Sequence, residues 1–462
     1  MTTTRTVTPS TTSTARSSVV NNNVRIVSYN VLSSKLSRPS HFTRSNPDHL
    51  TMKYRLPLIL QKLQEEMDRS PSSSGGAGLD KIMADAALSK EDNKQQQSTS
   101  SSPPPPPTIF ALQEICYSFT SELHAFFAQR GYQFVTGLYG KKFNGYMGVG
   151  IAYPTEHFET VKVDICRLSD ERIDGWPREE EIIDEDAAKK GGPGFIQQFS
   201  KIINQFIRNR VIKQLGFNQQ QQQQQQREPI DPWEMSENRF NVLVSVALRH
   251  RHKGASSSSS TSDGTFLISN YHMPCAFYAP PVMNIHSEMV TRRVQTLAAN
   301  VYESLYDDKK EEGEKDINTI PYILAGDFNI MPDSPHYKLL TTGSLDKSDP
   351  TYPPAKFGVE WTIEAEAMDS AYAEIGEEPE FTNYAHIQDQ ENPFIGTLDY
   401  IFLSRKSKTT RIIDEKVAGE WWKVNGVTKL PSVAESGGPF PNAVEPSDHL
   451  LISADLELVS KK

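Results

Sequence analysis

Asp327 and Asn329 stand in "YILAGDFNIMPDSPHY" (residues 322–337), where an apolar run stops at an acid and an amide. "YILAG" reads as a buried strand. A polar pair directly after Gly326 therefore sits where the chain leaves the core and side chains converge on a cleft. The same grammar recurs. Asn30 closes "VSYN", Glu114 closes "FALQE" and His272 closes "LISNYH"; Asp399 heads an aromatic strand after "GTL", and Asp448 and His449 in "EPSDH" precede the last strand. Each alone has a structural explanation: a turn for Asn30, a helix start for Glu114, a satisfied core imidazole for either histidine. Together, acids, amides and imidazoles at strand ends describe one chemistry.

That chemistry is phosphoester hydrolysis on a divalent ion. Carboxylates of Glu114, Asp327 and Asp448, with amide oxygens of Asn30 and Asn329, are hard ligands suited to Mg²⁺, with Mn²⁺ as a substitute. Zinc is disfavoured by few cysteines and little clustering of histidine. His449 is the natural base for an attacking water, oriented by Asp399, while His272 contacts the phosphate and stabilises transition-state charge. Asp327 and Asn329 then act as a metal ligand and as a positioner of phosphate or nucleophile.

Eight short runs rich in β-branched and aromatic residues supply the strands: "VRIVSYNVL", "TIFALQEI", "MGVGIAY", "FNVLVSVALRH", "TFLISNYH", "YILAGDFN", "TLDYIFLS" and "LISADLEL". Between them, Leu56, Ile59, Leu60, Leu63 and Met67 share one helical face, as do Val290, Val294, Leu297, Val301 and Leu305. Pro57 is expected in the first turn of its helix. "SELHAFFAQRG" predicts another helix, closed at Gly131. Mixed strands and helices without a fixed period predict an α/β sandwich.

Four polar tracts decorate this frame: residues 1–23, 69–107 ending in "SSPPPPP", 217–228 around the glutamine run, and 252–264 around "GASSSSSTSDG". Such compositions do not repay their ordering entropy by burial. The expectation is one catalytic domain over residues 24–460. The tail, rich in Ser and Thr with Arg5 and Arg16, has a composition shared by transit segments and plain disordered tails. "FIQQFSKIINQFIRNRVIKQL" (195–215) predicts a basic amphipathic helix, either a covering element or a contact for phosphate or an anionic membrane.

The chain has 462 residues, 37% of them hydrophobic, and a formal net charge of −10. An acidic total argues against holding nucleic acid by bulk electrostatics, though not against holding it through metal ions. Cys116, Cys166 and Cys275 lack zinc spacing and do not make a disulfide framework. No apolar run approaches the roughly 18 residues of a membrane span. The expectation is a soluble intracellular protein, cytoplasmic before mitochondrial or nuclear.

In order, "YN", "LQE", "NxH", "GDFN", "LDYIF" and "SDH" resemble the endonuclease/exonuclease/phosphatase superfamily across residues 28 to 450. The resemblance implies the DNase I-like α/β fold, a four-layer sandwich of two β-sheets flanked by helices, with the motifs along one edge. "YNVLSSKLSR", "HLTMKYRLPLILQKL" and "FTNYAHIQDQENPFIGTLDYIFLS" look most like the carbon-catabolite-repressor/nocturnin type of 3′-exonuclease, the deadenylase branch. Carried over by residue, Glu114 resembles the principal Mg²⁺ ligand, and Asn30, Asp327, Asn329, Asp399, His272 and His449 the rest of the catalytic set. Phe394 falls where that branch stacks an adenine, and Asn270 and His272 of "NYH" fall on the substrate side. Met52 departs from the usual Trp, "HMPCAFYAPPVMNIHSEM" is longer and richer in Pro than usual, and no leucine-rich adaptor region precedes the domain. The implied activity is a Mg²⁺-dependent 3′-to-5′ exoribonuclease releasing AMP from poly(A) in single-stranded RNA. Alternatives are a phosphoesterase on a small nucleotide, such as NADP(H) or a 2′,5′-oligoadenylate, and an inactive binding scaffold. Protein partners are not legible.

Overall fold

In β1 (Asn23–Asn30), Val24 and Ile26 alternate with Val27 and Tyr29, and all four are 0% exposed. A strand apolar on both faces must be covered on both. The computed structural model describes residues 22–70, 104–179, 230–251, 264–306, 319–388, 390–405 and 421–459. The N-terminal tail, most of the 69–107 tract, the glutamine run, the serine run and the 195–215 helix lie outside the described residues.

After β1 come α1 (Met52–Asp68), β2 (Thr108–Ile115), α2 (Tyr117–Ala128), β3 (Tyr132–Leu138), β4 (Gly148–Pro154) and β5 (Phe158–Arg167). The middle of the chain forms α3 (Pro232–Glu237), β6 (Val242–His250), β7 (Thr265–His272), α4 (Pro280–Tyr306), β8 (Tyr322–Asp327) and α5 (Pro335–Thr342). The remainder gives β9 (Met368–Ser370), β10 (Asn383–Ala385), β11 (Phe394–Gly396), β12 (Asp399–Ser404), β13 (Trp422–Val427) and β14 (Ile452–Leu458).

Two six-stranded sheets result, ordered β13-β14-β1-β2-β4-β3 and β5-β6-β7-β8-β12-β9, with β10-β11 as a separate ribbon. Each sheet is mixed: β1 runs parallel to β2 and β7 parallel to β8, while neighbouring pairs such as β1 and β14 or β8 and β12 are antiparallel. Alternation builds the layers. Ile26, Ile109 and Ile151 meet Val244, Ile268, Ile323 and Ile401 between the sheets. On the outer face of the first sheet, Val27, Tyr29, Phe110 and Leu112 pack on Ile59 and Leu63 of α1 and on Phe119, Leu123 and Phe127 of α2. On the outer face of the second, Leu267, Leu324 and Phe402 pack on Val290, Val294, Leu297 and Val301 of α4 and on Leu339 and Leu340 of α5. This is the four-layer sandwich that the resemblance implied.

Three expectations need correction. The eight strands anticipated are the eight central strands of the two sheets, and the edges β3, β5, β9 and β13 and the ribbon β10-β11 were missed. An edge such as β5 alternates exposed and half-buried residues, so its apolar signal is weak. Pro57 lies past the first turn of α1, which begins at Met52 behind a Thr51 cap. Pro57 and Lys53 are both exposed, so the carbonyl that Pro57 cannot bond faces water. Helix α2 begins at Tyr117 rather than at Ser121 and ends before Gly131, which takes φ +74° in the following turn.

Candidate active site

The parallel pairs bring the polar strand ends to one edge of the sandwich. Across three adjacent strands His272 is the register partner of Asp327, and Asp327 that of Asp399. Close approach of β7 and β8 requires Gly326, where a Cβ would fall 1.8 Å from the Tyr271 carbonyl oxygen. In the facing sheet Asn30 ends β1 and Glu114 lies near the end of β2.

Glu114 is aimed by a bulge. The β2–β4 register shifts between Gln113 and Ile115, and Glu114 adopts φ +57°. An extra residue in the left-handed region costs backbone energy and turns the side chain out of the ladder, a device concentrated at functional sites. The carboxylate accepts the Ser33 N–H at 2.8 Å. Asn30 Nδ2 donates to Asp327 Oδ2 at 2.9 Å and lies 3.4 Å from Glu114 Oε1. Asn329, at φ +53°, donates its backbone N–H to Asp327 Oδ1 at 3.0 Å and its side-chain N–H to the Met273 carbonyl at 3.0 Å.

The two histidines have opposite orientations of charge. His449 Nδ1 lies 2.7 Å from Asp399 Oδ2, which also accepts from the Thr382 hydroxyl at 2.6 Å. Thr382 Oγ1 accepts the Leu398 and Asp399 N–H groups, so its own proton goes to the carboxylate. Nδ1 must then carry a proton in either charge state of the ring, and Nε2, the nitrogen that gains or loses the second proton, is aimed at Asp327 Oδ2, 3.6 Å away. His272 is reversed. Its Nε2 lies 3.5 Å from Asp327 Oδ2 and its Nδ1 3.1 Å from the Tyr139 hydroxyl; a proton on Nε2, the nitrogen that faces the carboxylate, makes Nδ1 the acceptor of the Tyr139 hydroxyl.

Burial disfavours the His449 imidazolium, but Asp399 and Asp327 outweigh it and hold the group well above its ordinary value. Burial likewise pushes the Asp399 carboxyl up, against the pull of His449. At Glu114 burial again raises the carboxyl, opposed by His272 and reinforced by Asp448. Carboxylates thus crowd a buried space with little positive charge. Asp399 Oδ1 and Asp448 Oδ1 are buried with no hydrogen-bond partner among the described residues, and Asp327, Asp399 and His449 each bring a donor atom within 4.8 Å of one another. Orphaned hard oxygens of this kind fit a divalent cation.

No family model matches the chain. It is 26% identical over 251 residues to the CCR4-Not complex 3′-5′-exoribonuclease subunit Ccr4 of Aspergillus clavatus, covering 48% of this chain and 33% of that one. It is 31% identical over 146 residues to the same subunit of Coccidioides immitis, covering 31% of this chain and 17% of that one. The chain therefore spans a third or less of the length of these curated relatives. Among solved structures, ANGEL2, a 2′,3′-cyclic phosphatase in complex with adenosine-2′,3′-vanadate, matches with a TM-score of 0.53 at 15% identity over 95% of this chain and 97% of that one. The protein has the DNase I-like fold.

Within this DNase I-like frame, Asn30, Glu114, His272, Asp327, Asn329, Asp399 and His449 lie together at one edge. Asp448 joins them through its neighbour and through its own position beside the ribbon, where its carbonyl accepts the Tyr384 N–H at 3.1 Å. Phe394 lies half-buried on the same ribbon, its ring against Gly396, which also lies against Met331. Asn270 does not reach the cleft. It is 0% exposed between the sheets, and its amide donates to the carbonyls of Leu112 and Gly150 at 2.9 and 2.8 Å while accepting from Gln113 at 2.9 Å. It therefore ties the sheets together rather than touching substrate. The long segment after His272 divides in two: Met273–Ala279 is loop, and from Pro280 onward it forms the first turns of α4.

Sequence reasoning missed several supports of the DNase I-like site. Arg55, 0% exposed, donates to the carbonyls of Val31 and Leu32 at 2.5 and 2.6 Å and to that of Pro446, clamping the loop after Asn30 to the loop before His449. Ser447 Oγ donates to the Asn30 carbonyl at 2.6 Å. Thr382, Tyr139 and Asn241 complete the set, the last donating to the His272 carbonyl at 2.7 Å.

Proposed function

We propose that this chain is a divalent-metal phosphodiesterase, with Mg²⁺ as the ion and Mn²⁺ as a substitute, acting in the cytoplasm as a 3′-to-5′ exoribonuclease that releases AMP from A-tailed single-stranded RNA. One observation carries the reading: an Asp399–His449 pair at 2.7 Å faces Asp327 across the same edge that holds Glu114 and Asn30. Glu114, Asp327 and Asp448, with the amides of Asn30 and Asn329, would hold the cation; when bound it supplies positive charge that polarises the phosphoryl oxygen, acidifies the attacking water and offsets the carboxylate field on His449. His449 Nε2 takes the water's proton, and Asp399 stabilises the imidazolium that forms. His272 presents its Nε2–H to a phosphoryl oxygen, a polarity fixed by Tyr139 at Nδ1. The amide N–H of Asn30 holds Asp327 in place.

The RNA assignment is supported by the sequence relatives, named as 3′-5′-exoribonuclease subunits. The three unpaired cysteines fit a reducing cytoplasm, and no helix of the described residues is long and apolar enough to cross a membrane. Phe394 supplies the ring for an adenine.

Purified protein with Mg²⁺ is incubated in parallel with A-tailed RNA, the same RNA with a non-A tail, and NADPH, beside an EDTA control. A ladder of shortened A-tailed RNA with AMP is expected, and Phe394→Ala should raise KM on that RNA roughly 10-fold, since base stacking on a ring is worth about 1–3 kcal/mol. Free phosphate from NADPH with intact RNA would instead assign a small-nucleotide phosphoesterase. Silence on all three would leave a binding scaffold.

A further inference from the structure

A connected arc of exposed aromatic rings and cations runs along the rim beyond His272. The Lys141 ammonium sits 4.0 Å from the centroid of the Phe240 ring, and the Arg167 guanidinium approaches the same ring at 5.7 Å. Arg239, next to Phe240, reaches the Tyr278 hydroxyl at 3.4 Å. Asn241, next on the other side, anchors the His272 carbonyl at 2.7 Å, so the arc is tied directly to the cleft. Its rings are open to water: Phe143 is 68% exposed, Phe240 46%, Phe277 51% and Tyr278 65%.

Soluble proteins do not leave this many large rings uncovered along one edge without a use for them. The charge pattern says what kind. The chain as a whole carries a net charge of −10, yet the segments that bear these rings, residues 139–147, 238–241 and 273–279, contain no Asp or Glu while bringing Lys141, Lys142 and Arg239. The acids adjoining Arg167 and Arg178, Asp170 and Glu237, are engaged in ion pairs with them. Rings interleaved with cations, with the neighbouring acids Asp170 and Glu237 already held in ion pairs, complement a single-stranded polynucleotide, whose bases stack on the rings while its phosphates meet the cations.

We infer that the arc from Lys141 through Phe240 and Arg239 to Tyr278 binds the RNA strand upstream of the nucleotide being removed, so that the enzyme grips a run of several nucleotides rather than the terminal one alone. The inference rests on the exoribonuclease reading above, and it makes affinity depend on strand length. Each base stacked on a ring contributes about tenfold in affinity at the lower end of the usual range.

The test is binding of fluorescein-labelled A12 and A3 oligonucleotides by anisotropy, in EDTA so that no strand is cut, with wild type and Phe240→Ala/Tyr278→Ala. Both replaced rings are largely exposed, and the thermal unfolding midpoint checks that the variant is folded. Wild type should bind A12 at least about 10-fold more tightly than A3, and the double variant should reduce that advantage to about twofold. Lys141→Ala should also flatten the salt dependence of A12 binding. Equal affinity for A12 and A3 in wild type, or an A12 advantage intact in the variant, overturns the inference. A length advantage lost in the variant, in a protein that cuts no RNA when Mg²⁺ is restored, would instead sustain the arc and remove the exoribonuclease reading.

Discussion

Replacing Glu114 by Gln is expected to lower the rate of phosphodiester hydrolysis about 1,000-fold while leaving the unfolding midpoint unchanged or raised. The size follows from losing several kcal/mol of metal-borne charge stabilisation at about 1.4 kcal/mol per tenfold. The direction of the stability effect follows from burial. Glu114 is 8% exposed, its carboxyl is pushed up by burial, and among the described residues no Lys or Arg is hydrogen-bonded to it. A neutral amide of the same shape keeps an acceptor for the Ser33 N–H and removes the cost of a buried charge. Divalent-ion affinity, measured by calorimetry, should fall in parallel with rate. Activity that survives with its metal dependence unchanged would mean that Glu114 is not a ligand.

Asp399→Asn separates the proposed proton-transfer pair from the proposed ligand set. Thr382 already donates to the Asp399 oxygen that faces His449, so that oxygen must accept. An Asn oxygen in that place accepts from both Thr382 and His449, which keeps Nε2 as the base but removes the negative charge that stabilises the imidazolium; the flipped amide instead meets His449 with N–H and forces the imidazole proton onto Nε2. Either outcome weakens the proton transfer. Loss of such an orienting carboxylate costs about 1,000- to 10,000-fold in rate. Divalent-ion affinity should remain close to that of wild type. If affinity collapses together with rate, Asp399 and His449, which lie with Asp327 in one tight cluster, are holding the ion rather than moving a proton.

What could be read from the sequence divides along a physical line. Central strands such as β1 and β8 are buried on both faces and therefore appear as unbroken apolar runs. Edge strands and the ribbon expose one face or are three residues long, and their pattern merges with loop. The site followed the same logic. Asn30, His272, Asp327 and Asp399 stand at strand ends, where a polar residue after an apolar run has nowhere to be but the cleft. Asn270 was misassigned because it lies two residues inside β7, where alternation turns it between the sheets. Arg55 and Thr382 were invisible for a different reason. Their meaning lies in partners far along the chain, Pro446 for Arg55 and His449's own acid for Thr382, and no local pattern encodes those contacts.

Backbone strain marks the site more sharply than composition does. Among the described non-glycine residues with positive φ, Leu32, Glu114 and Asn329 flank or belong to the cleft. Strain of about 1–3 kcal/mol at each position persists only where the surroundings over-determine it. Arg55 at the Val31 and Leu32 carbonyls, Ser33 at Glu114 and Met273 at Asn329 provide that determination.

The central claim is that a water activated at His449 attacks the phosphorus. Its most direct test is the mass of the mononucleotide released from A-tailed RNA by the wild-type protein in H₂¹⁸O with Mg²⁺. The account predicts 5′-AMP carrying one solvent oxygen on its phosphate. A 2′,3′-cyclic phosphate product carrying no solvent oxygen would mean that the ribose 2′-hydroxyl is the nucleophile, and would contradict it.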